Sequence, residues 1–215
     1  MRKEYRTIEE LIRKNFKKEV KKTRKLIDEL KNVKERGYFT KYKFLKMGMW
    51  KSPRPKPRYC KNSKEEVIKI SRVAFSINDV LTKLKKMKKL EEMEKIKEEM
   101  EKIKIDVLTK LKGVGIPVAS AILMLTDPSN YGVIDRRAWE VLYLYGKVQS
   151  KKKSFSSNDW VTYLKILREL AQEFKVTPRD IERTLYLYHE DRTGKKEKEE
   201  KRKELEPNLI IRQKC

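Results

Sequence analysis

Apolar positions recur every three to four residues along most of the chain, and the polar positions between them are filled largely by lysine and glutamate. That period is helical. Ile8, Leu11, Ile12, Phe16 and Val20 form the first series, with Thr7 and Glu10 at capping-box spacing in front of it. Leu26, Ile27, Leu30 and Val33 carry the pattern on to Gly37, so residues 1–36 are predicted to form one long helix or two consecutive ones. Tyr42, Phe44, Leu45, Met47 and Trp50 predict a short apolar helix after Thr40. Val67, Ile68, Ile70, Val73, Ala74 and Phe75 predict another that begins at Asn62-Ser63. Ser76-Ile77-Asn78-Asp79 reads as a cap that starts a new helix through Leu81, Leu84, Met87 and Leu90. The heptad EEMEKIK then occurs twice, over 91–97 and 98–104, with Met93, Ile96, Met100 and Ile103 as a narrow apolar seam. Two heptads are too few to argue a coiled coil, so they are read as an extended helix, with self-association as the lesser alternative. Further helices are predicted after Asp135, from Trp160 to Phe174, and from Thr177-Pro178 to Tyr188. No stretch alternates as a strand does, and the predicted fold class is all-α.

Chemistry concentrates in LTKLKGVGIPVASAILMLTDPSNYGVIDRRAWEVL, residues 108–142. An apolar helix ends at Lys112, Gly113-Val114-Gly115 turns, and Pro117 opens a second apolar helix at a position where its missing N–H costs nothing. Two glycines around one apolar residue let the backbone turn sharply and present its amides outward, beside a helix N-terminus that favours an anion. Phosphate contact through the amides of Gly113, Val114 and Gly115, with Lys112 alongside, is the expectation; a purely structural turn is the rival. Asp135 follows a short extended piece and starts the next helix. Read locally, an aspartate there is most often an N-cap.

The hairpin and the Ile134-Asp135 pair, at their spacing, resemble the helix-hairpin-helix DNA glycosylases of base-excision repair, the superfamily of endonuclease III and the alkyladenine glycosylases. The likeness is sharp over residues 108–145 and extends to His189. It implies two helical lobes with a cleft between them, and Asp135 as the catalytic carboxylate that activates water or balances charge on the deoxyribose. Two departures qualify it. The bifunctional members carry a Schiff-base lysine two residues after G-V-G, where this chain has Pro117, so a monofunctional enzyme is expected. The endonuclease III branch ends in a four-cysteine iron–sulfur loop, which Cys60 and Cys215 alone cannot build. No cofactor or metal is expected. Tyr131 and Trp139 are candidate base-pocket aromatics, although aromatics on such helices are more often core. His189, the sole histidine, reads as a surface or core residue.

Charge favours a polyanion partner. Of 215 residues 56 are Lys or Arg against 32 acids, giving +24. Residues 1–61 hold 22 Lys and Arg against 7 Asp and Glu, hence +15 of that excess. A Lys/Glu-rich surface is also common in hyperthermophile proteins, which is the plainer explanation. Lys51-Ser52-Pro53-Arg54-Pro55-Lys56-Pro57-Arg58-Tyr59 reads as a stiff, extended basic strap, either a linker or a nucleic-acid contact through Lys51 and Arg54, with Trp50 and Tyr59 at its ends. Three regions are expected: a basic N-terminal segment over 1–61, a helical core over 62–189 with the hairpin at 105–126, and a charged, frayed tail over 190–215. Two distant cysteines give neither zinc spacing nor a disulfide framework, and the N-terminus has no apolar signal core, so a cytoplasmic, nucleoid-associated monomer is expected. Two functions remain open: a DNA glycosylase for a damaged or deaminated base in double-stranded DNA, or a DNA-binding protein on the same scaffold without catalysis.

Overall fold

The structure, a computed structural model, describes residues 3–17, 20–84 and 90–193, the side chains of 78–84 and 90–92 excepted. It is all-helical, with no strand among the described residues. In chain order the helices are α1 (Ile8–Asn15), α2 (Lys21–Leu30), α3 (Asn32–Arg36), α4 (Lys41–Lys51), α5 (Lys56–Cys60), α6 (Lys64–Leu84), α7 (Leu90–Leu108), α8 (Ile116–Thr126), α9 (Arg136–Leu144), α10 (Ser157–Phe174) and α11 (Pro178–Thr193). Most of the charged tail expected over 190–215 lies outside the described residues.

Local signals set many helix starts. The Thr7 hydroxyl accepts the Glu10 amide at 3.1 Å, and Thr177 accepts the Asp180 amide at 3.1 Å while Asp180 accepts the Thr177 amide in return. Gly37, at φ +73°, ends α3 in the left-handed conformation that glycine adopts without strain. Residues 8–36 therefore form three short helices rather than one or two.

Tertiary burial overrides local chemistry in three places. First, α6 runs straight through Ser76–Asp79; Ser76 turns its hydroxyl back to the Val73 carbonyl at 2.9 Å instead of capping a new helix. Second, the strap is not extended: Pro53 and Pro55 make tight turns and Pro57 sits in the first turn of α5, where it forfeits no hydrogen bond. The gain is burial of Tyr59 at 0% exposure. Third, the heptad seam does not hold to its end. Ile103 is 50% exposed, whereas Glu101 and Lys104 are buried where α7 faces α10. The Lys104 ammonium lies 3.3 Å from the Glu101 carboxylate and 2.6 Å from the Tyr131 hydroxyl, and Arg168 reaches Glu101 at 3.0 Å. A satisfied polar network thus takes the place the apolar period would have filled.

One core runs through the described helices. Ile8, Leu11, Leu30, Phe39, Phe44, Met47 and Tyr59 join it from the basic N-terminal segment, and Ile105, Ile122, Ile134, Trp160 and Leu185 from the remainder. α4 packs on α8, α9 on α11, and α6 along α7. Those pairings bring the end of α4 against the start of α9. No described helix is long and apolar enough to cross a membrane.

Candidate functional site

The hairpin is held from below by two residues outside it. Gly113 has φ +88°, and a Cβ built there would lie 2.9 Å from the Tyr59 ring and 3.0 Å from Arg58 Cβ. The opposite edge of the same ring meets Gly48 of α4, whose Cβ would lie 2.9 Å away. Tyr59 is therefore wedged between two glycines, and burial pushes its phenol up to about 12. Asn62 is the second support. Its Oδ1 accepts the Lys112 amide at 2.7 Å, and its Nδ2 donates to the Lys112 carbonyl at 3.1 Å and the Tyr59 carbonyl at 2.9 Å.

Amide accounting corrects one expected contact. The Val114 N–H donates to the Leu111 carbonyl at 3.0 Å and its side chain is buried, so Val114 braces the turn rather than offering an amide outward. Among the described residues the amides of Gly113, Gly115 and Ile116 find no acceptor, and all three residues are at least partly accessible at the start of α8. Two exposed basic residues flank them: Lys112, with its amine 3.2 Å from the Lys61 carbonyl and 3.7 Å from Glu66, and Arg58 of α5, whose Cβ abuts Gly113; exposed Arg54 lies in the turn before α5. Arg54, Pro55, Pro57 and Arg58 line a shallow cleft of about 320 Å³ there.

Asp135 is fixed by the segment leading to it. The Ile134 amide donates to the Ser120 hydroxyl of α8 at 3.1 Å, the Tyr163 hydroxyl donates to the Val133 carbonyl at 3.1 Å, and Gly132 lies so close to Leu167 and Pro178 that a Cβ would not fit. Asp135 is indeed an N-cap: its Oδ1 accepts the Arg137 amide at 2.9 Å. Its Oδ2, however, accepts from Lys51 Nζ at 2.7 Å, across 84 residues of sequence. Burial opposes its ionisation, but the Lys51 charge and hydrogen bond and the Arg137 amide prevail and hold the carboxyl below its usual range. Behind the pair, Glu182 and Arg179 of α11 form a buried ion pair, and the Arg179 guanidinium sits 5.4 Å from the centre of the Trp50 ring. Burial raises the Glu182 carboxyl against the pull of Arg179 and Lys51, with Asp135 adding repulsion.

No protein-family model, curated protein or solved structure matches this chain. The site therefore stands on its own geometry. Of the residues singled out from sequence, Lys51 and Asp135 meet directly, Gly113, Gly115 and Lys112 lie on the accessible hairpin, and Arg54 lines the cleft with Arg58. Tyr131 and Trp139 are both buried in the core. Tyr131 is buried against Trp160 with its hydroxyl between Lys104 and Glu101, and Trp139 packs between Phe155 and Tyr163 with Nε1 donating to the Ser150 carbonyl at 2.8 Å. His189 pairs with Glu140 at 2.8 Å away from this site. Sequence reasoning misses Asn62, Arg179 and Glu182 as parts of it. Asn62 carries a signal that reads equally well as a helix start, and the Arg179–Glu182 spacing looks like any surface pair on a helix. Among the described residues no three His, Cys, Asp or Glu side chains gather as a metal site.

The two glycines separate shape from contact. At Gly115 a Cβ would meet nothing closer than Pro117 Cδ at 3.9 Å and φ is an ordinary −101°, so Gly115→Ala should leave the melting temperature nearly unchanged, and weaken duplex binding if the hairpin takes a phosphate as the sequence resemblance implies. Gly113→Ala should instead destabilise the fold by about 1–3 kcal/mol, through positive φ and collision with Tyr59. Thermal melts beside fluorescence-anisotropy titrations check both; equal binding by a folded Gly115→Ala variant would remove the hairpin from the interface.

Proposed function

We propose that this protein is a monofunctional DNA-repair glycosylase, hydrolysing the N-glycosidic bond of a damaged or deaminated base, with Asp135 as the catalytic carboxylate in a cleft between two helical lobes. The observation that carries the reading is one carboxylate, kept ionised by Lys51 in a largely buried position, on the strand of chain that α8 and its hairpin hold in place. A glycosylase must withdraw a nucleotide from the stack and then stabilise positive charge developing on the sugar. The amides of Gly113, Gly115 and Ile116, which find no acceptor among the described residues, with Lys112, Arg54 and Arg58, would supply phosphate contacts that need not read sequence. Asp135 supplies the negative charge, or takes a proton from attacking water. The resemblance noted from the hairpin and Asp135 points the same way.

Incubation with a panel of lesion-bearing duplexes, followed by alkali to cleave abasic sites, tests the reading: strand breaks on at least one lesion are expected. Tight binding without base release on a broad panel favours the alternative, a DNA-binding protein in which the Lys51–Asp135 pair and the Asp135 cap serve structure alone. Deleting the basic segment would remove core residues, so charge-neutralising substitutions test the surface better. Replacing Arg54, Arg58 and Lys112 together by Gln should reduce the slope of log K against log salt by about 2–3, at roughly 0.9 for each phosphate that is no longer neutralised. An unchanged slope would move the DNA face elsewhere.

A further inference from the structure

Two guanidinium groups from different helices meet at one tyrosine ring. Arg36, the last residue of α3, lies with its guanidinium 5.7 Å from the centre of the Tyr38 ring, and Arg72 of α6 lies 5.2 Å from the same centre. The backbone builds this convergence. Gly37 reverses the chain between Arg36 and Tyr38 at φ +73°, and the Phe39 amide donates at 3.2 Å to the hydroxyl of Ser71, the residue before Arg72. Both arginines are exposed, and among the described residues no carboxylate pairs with either. Like charges held at one ring repel, and an anion shared between them relieves that repulsion. A guanidinium fork matches a phosphate in particular.

Tyr42 follows in the first turn of α4. It is 56% exposed, more than any other large apolar side chain described, and the Lys46 ammonium lies 4.8 Å from its ring centre while also pairing with Glu29 at 2.5 Å. This corner is tied to the hairpin through two successive carbonyls. Lys41 Nζ donates to the Cys60 carbonyl at 2.8 Å, and Lys112 Nζ donates to the Lys61 carbonyl at 3.2 Å. Cations alone would suit duplex DNA, whose charge lies on its outside. An open aromatic ring would not, because paired bases hide their faces in the stack, whereas an unpaired strand offers each base for stacking. We propose that Arg36, Arg72 and Tyr42 form a single-strand binding surface beside the hairpin, with phosphate on the two guanidinium groups and an unpaired base on the Tyr42 ring. Tyr38 positions the two arginines. The favoured partner is then a duplex with an adjoining unpaired strand rather than a blunt duplex. The inference rests on the reading of the hairpin face as the DNA-facing one, and it leaves the role of Asp135 untouched.

The test measures fluorescence anisotropy with a blunt duplex and with the same duplex carrying an overhang of about 12 thymidines at its 3′ or its 5′ end. The parent should bind at least one overhang duplex about tenfold more tightly than the blunt one, the gain expected from stacking a base or two. Tyr42→Ala should remove most of that gain and leave blunt-duplex affinity as in the parent, whereas Tyr42→Phe keeps the ring and should keep the gain. Arg36→Gln with Arg72→Gln should also remove it. These side chains are exposed, so the variants should melt with the parent. An overhang carrying 5-iodouracil, irradiated on the parent, should crosslink to Tyr42, a readout that needs no variant. No gain from an overhang at either end, a gain that survives either set of substitutions in a folded protein, or an equal loss on the blunt duplex would each overturn the proposal. Base release from lesion duplexes keeps the two readings apart. If the parent releases base from a blunt lesion duplex but gains nothing from an overhang, only the single-strand surface falls. If it holds overhangs through Tyr42 and releases no base from any lesion, the glycosylase reading falls and the surface stands.

Discussion

Tyr59→Ala should destabilise the protein by about 3–5 kcal/mol, the range for truncating a fully buried aromatic, and should weaken DNA binding by loosening the hairpin. The ring is not exposed, contacts Phe44 edge-on at 5.5 Å, and fills the space between Gly48 and Gly113. Removing it leaves a cavity directly under the left-handed residue of the turn. Tyr59→Phe should cost only about 1 kcal/mol, since it gives up a single 3.2 Å hydrogen bond to the Ser52 carbonyl. Denaturant melts of the two variants check the split. A Tyr59→Ala protein as stable as the parent would mean that this ring does not support the hairpin.

Asp135→Asn has a different profile. Asn caps helices as well as Asp does, so the bond to the Arg137 amide can persist and α9 should keep its start. The charge opposite Lys51 disappears, but that ammonium is partly solvated and suffers nothing prohibitive by losing its partner. On the proposed reading a negative group is also removed from a DNA-facing site, so duplex affinity should hold or rise slightly. Chemistry should suffer heavily, because the amide carries no charge to balance the sugar and takes no proton, and losses of positioned acid–base or electrostatic groups are typically a hundredfold or more. The pH dependence follows from the lowered carboxyl. A folded-state value below the unfolded one contributes stability that is present above the unfolded value and lost only as pH falls through the folded one, so Asp135 should remain ionised across the mildly acid range.

Features set by neighbours in sequence could be read from sequence. The G-V-G turn, the N1 proline, the Thr7 and Thr177 caps and the position of Asp135 at a helix start each depend on a handful of adjacent residues. Features set by burial could not. Ser76–Asp79 carries the same cap chemistry as Thr7, yet α6 passes through it. The proline strap looks extended until the core draws Tyr59 inward and favours a helical turn over a strand-like one. The candidate site divides in the same way. Asp135 and Lys51 both stand out in the sequence, one as a carboxylate and one as a basic contact, but nothing local signals that 84 residues close to a 2.7 Å hydrogen bond. Tyr131 and Trp139 show the converse, aromatics near a motif that packing claims for the core.

The central claim, that Asp135 performs base removal on DNA held by the hairpin, is tested most directly by single-turnover base release at saturating protein. Parent and Asp135→Asn would be compared on a lesion duplex that the parent processes, with the dissociation constant measured on the same duplex. The account predicts a rate lower by at least about a hundredfold at unchanged or tighter binding. A folded Asp135→Asn protein that binds the duplex and releases base at the parent rate would contradict it.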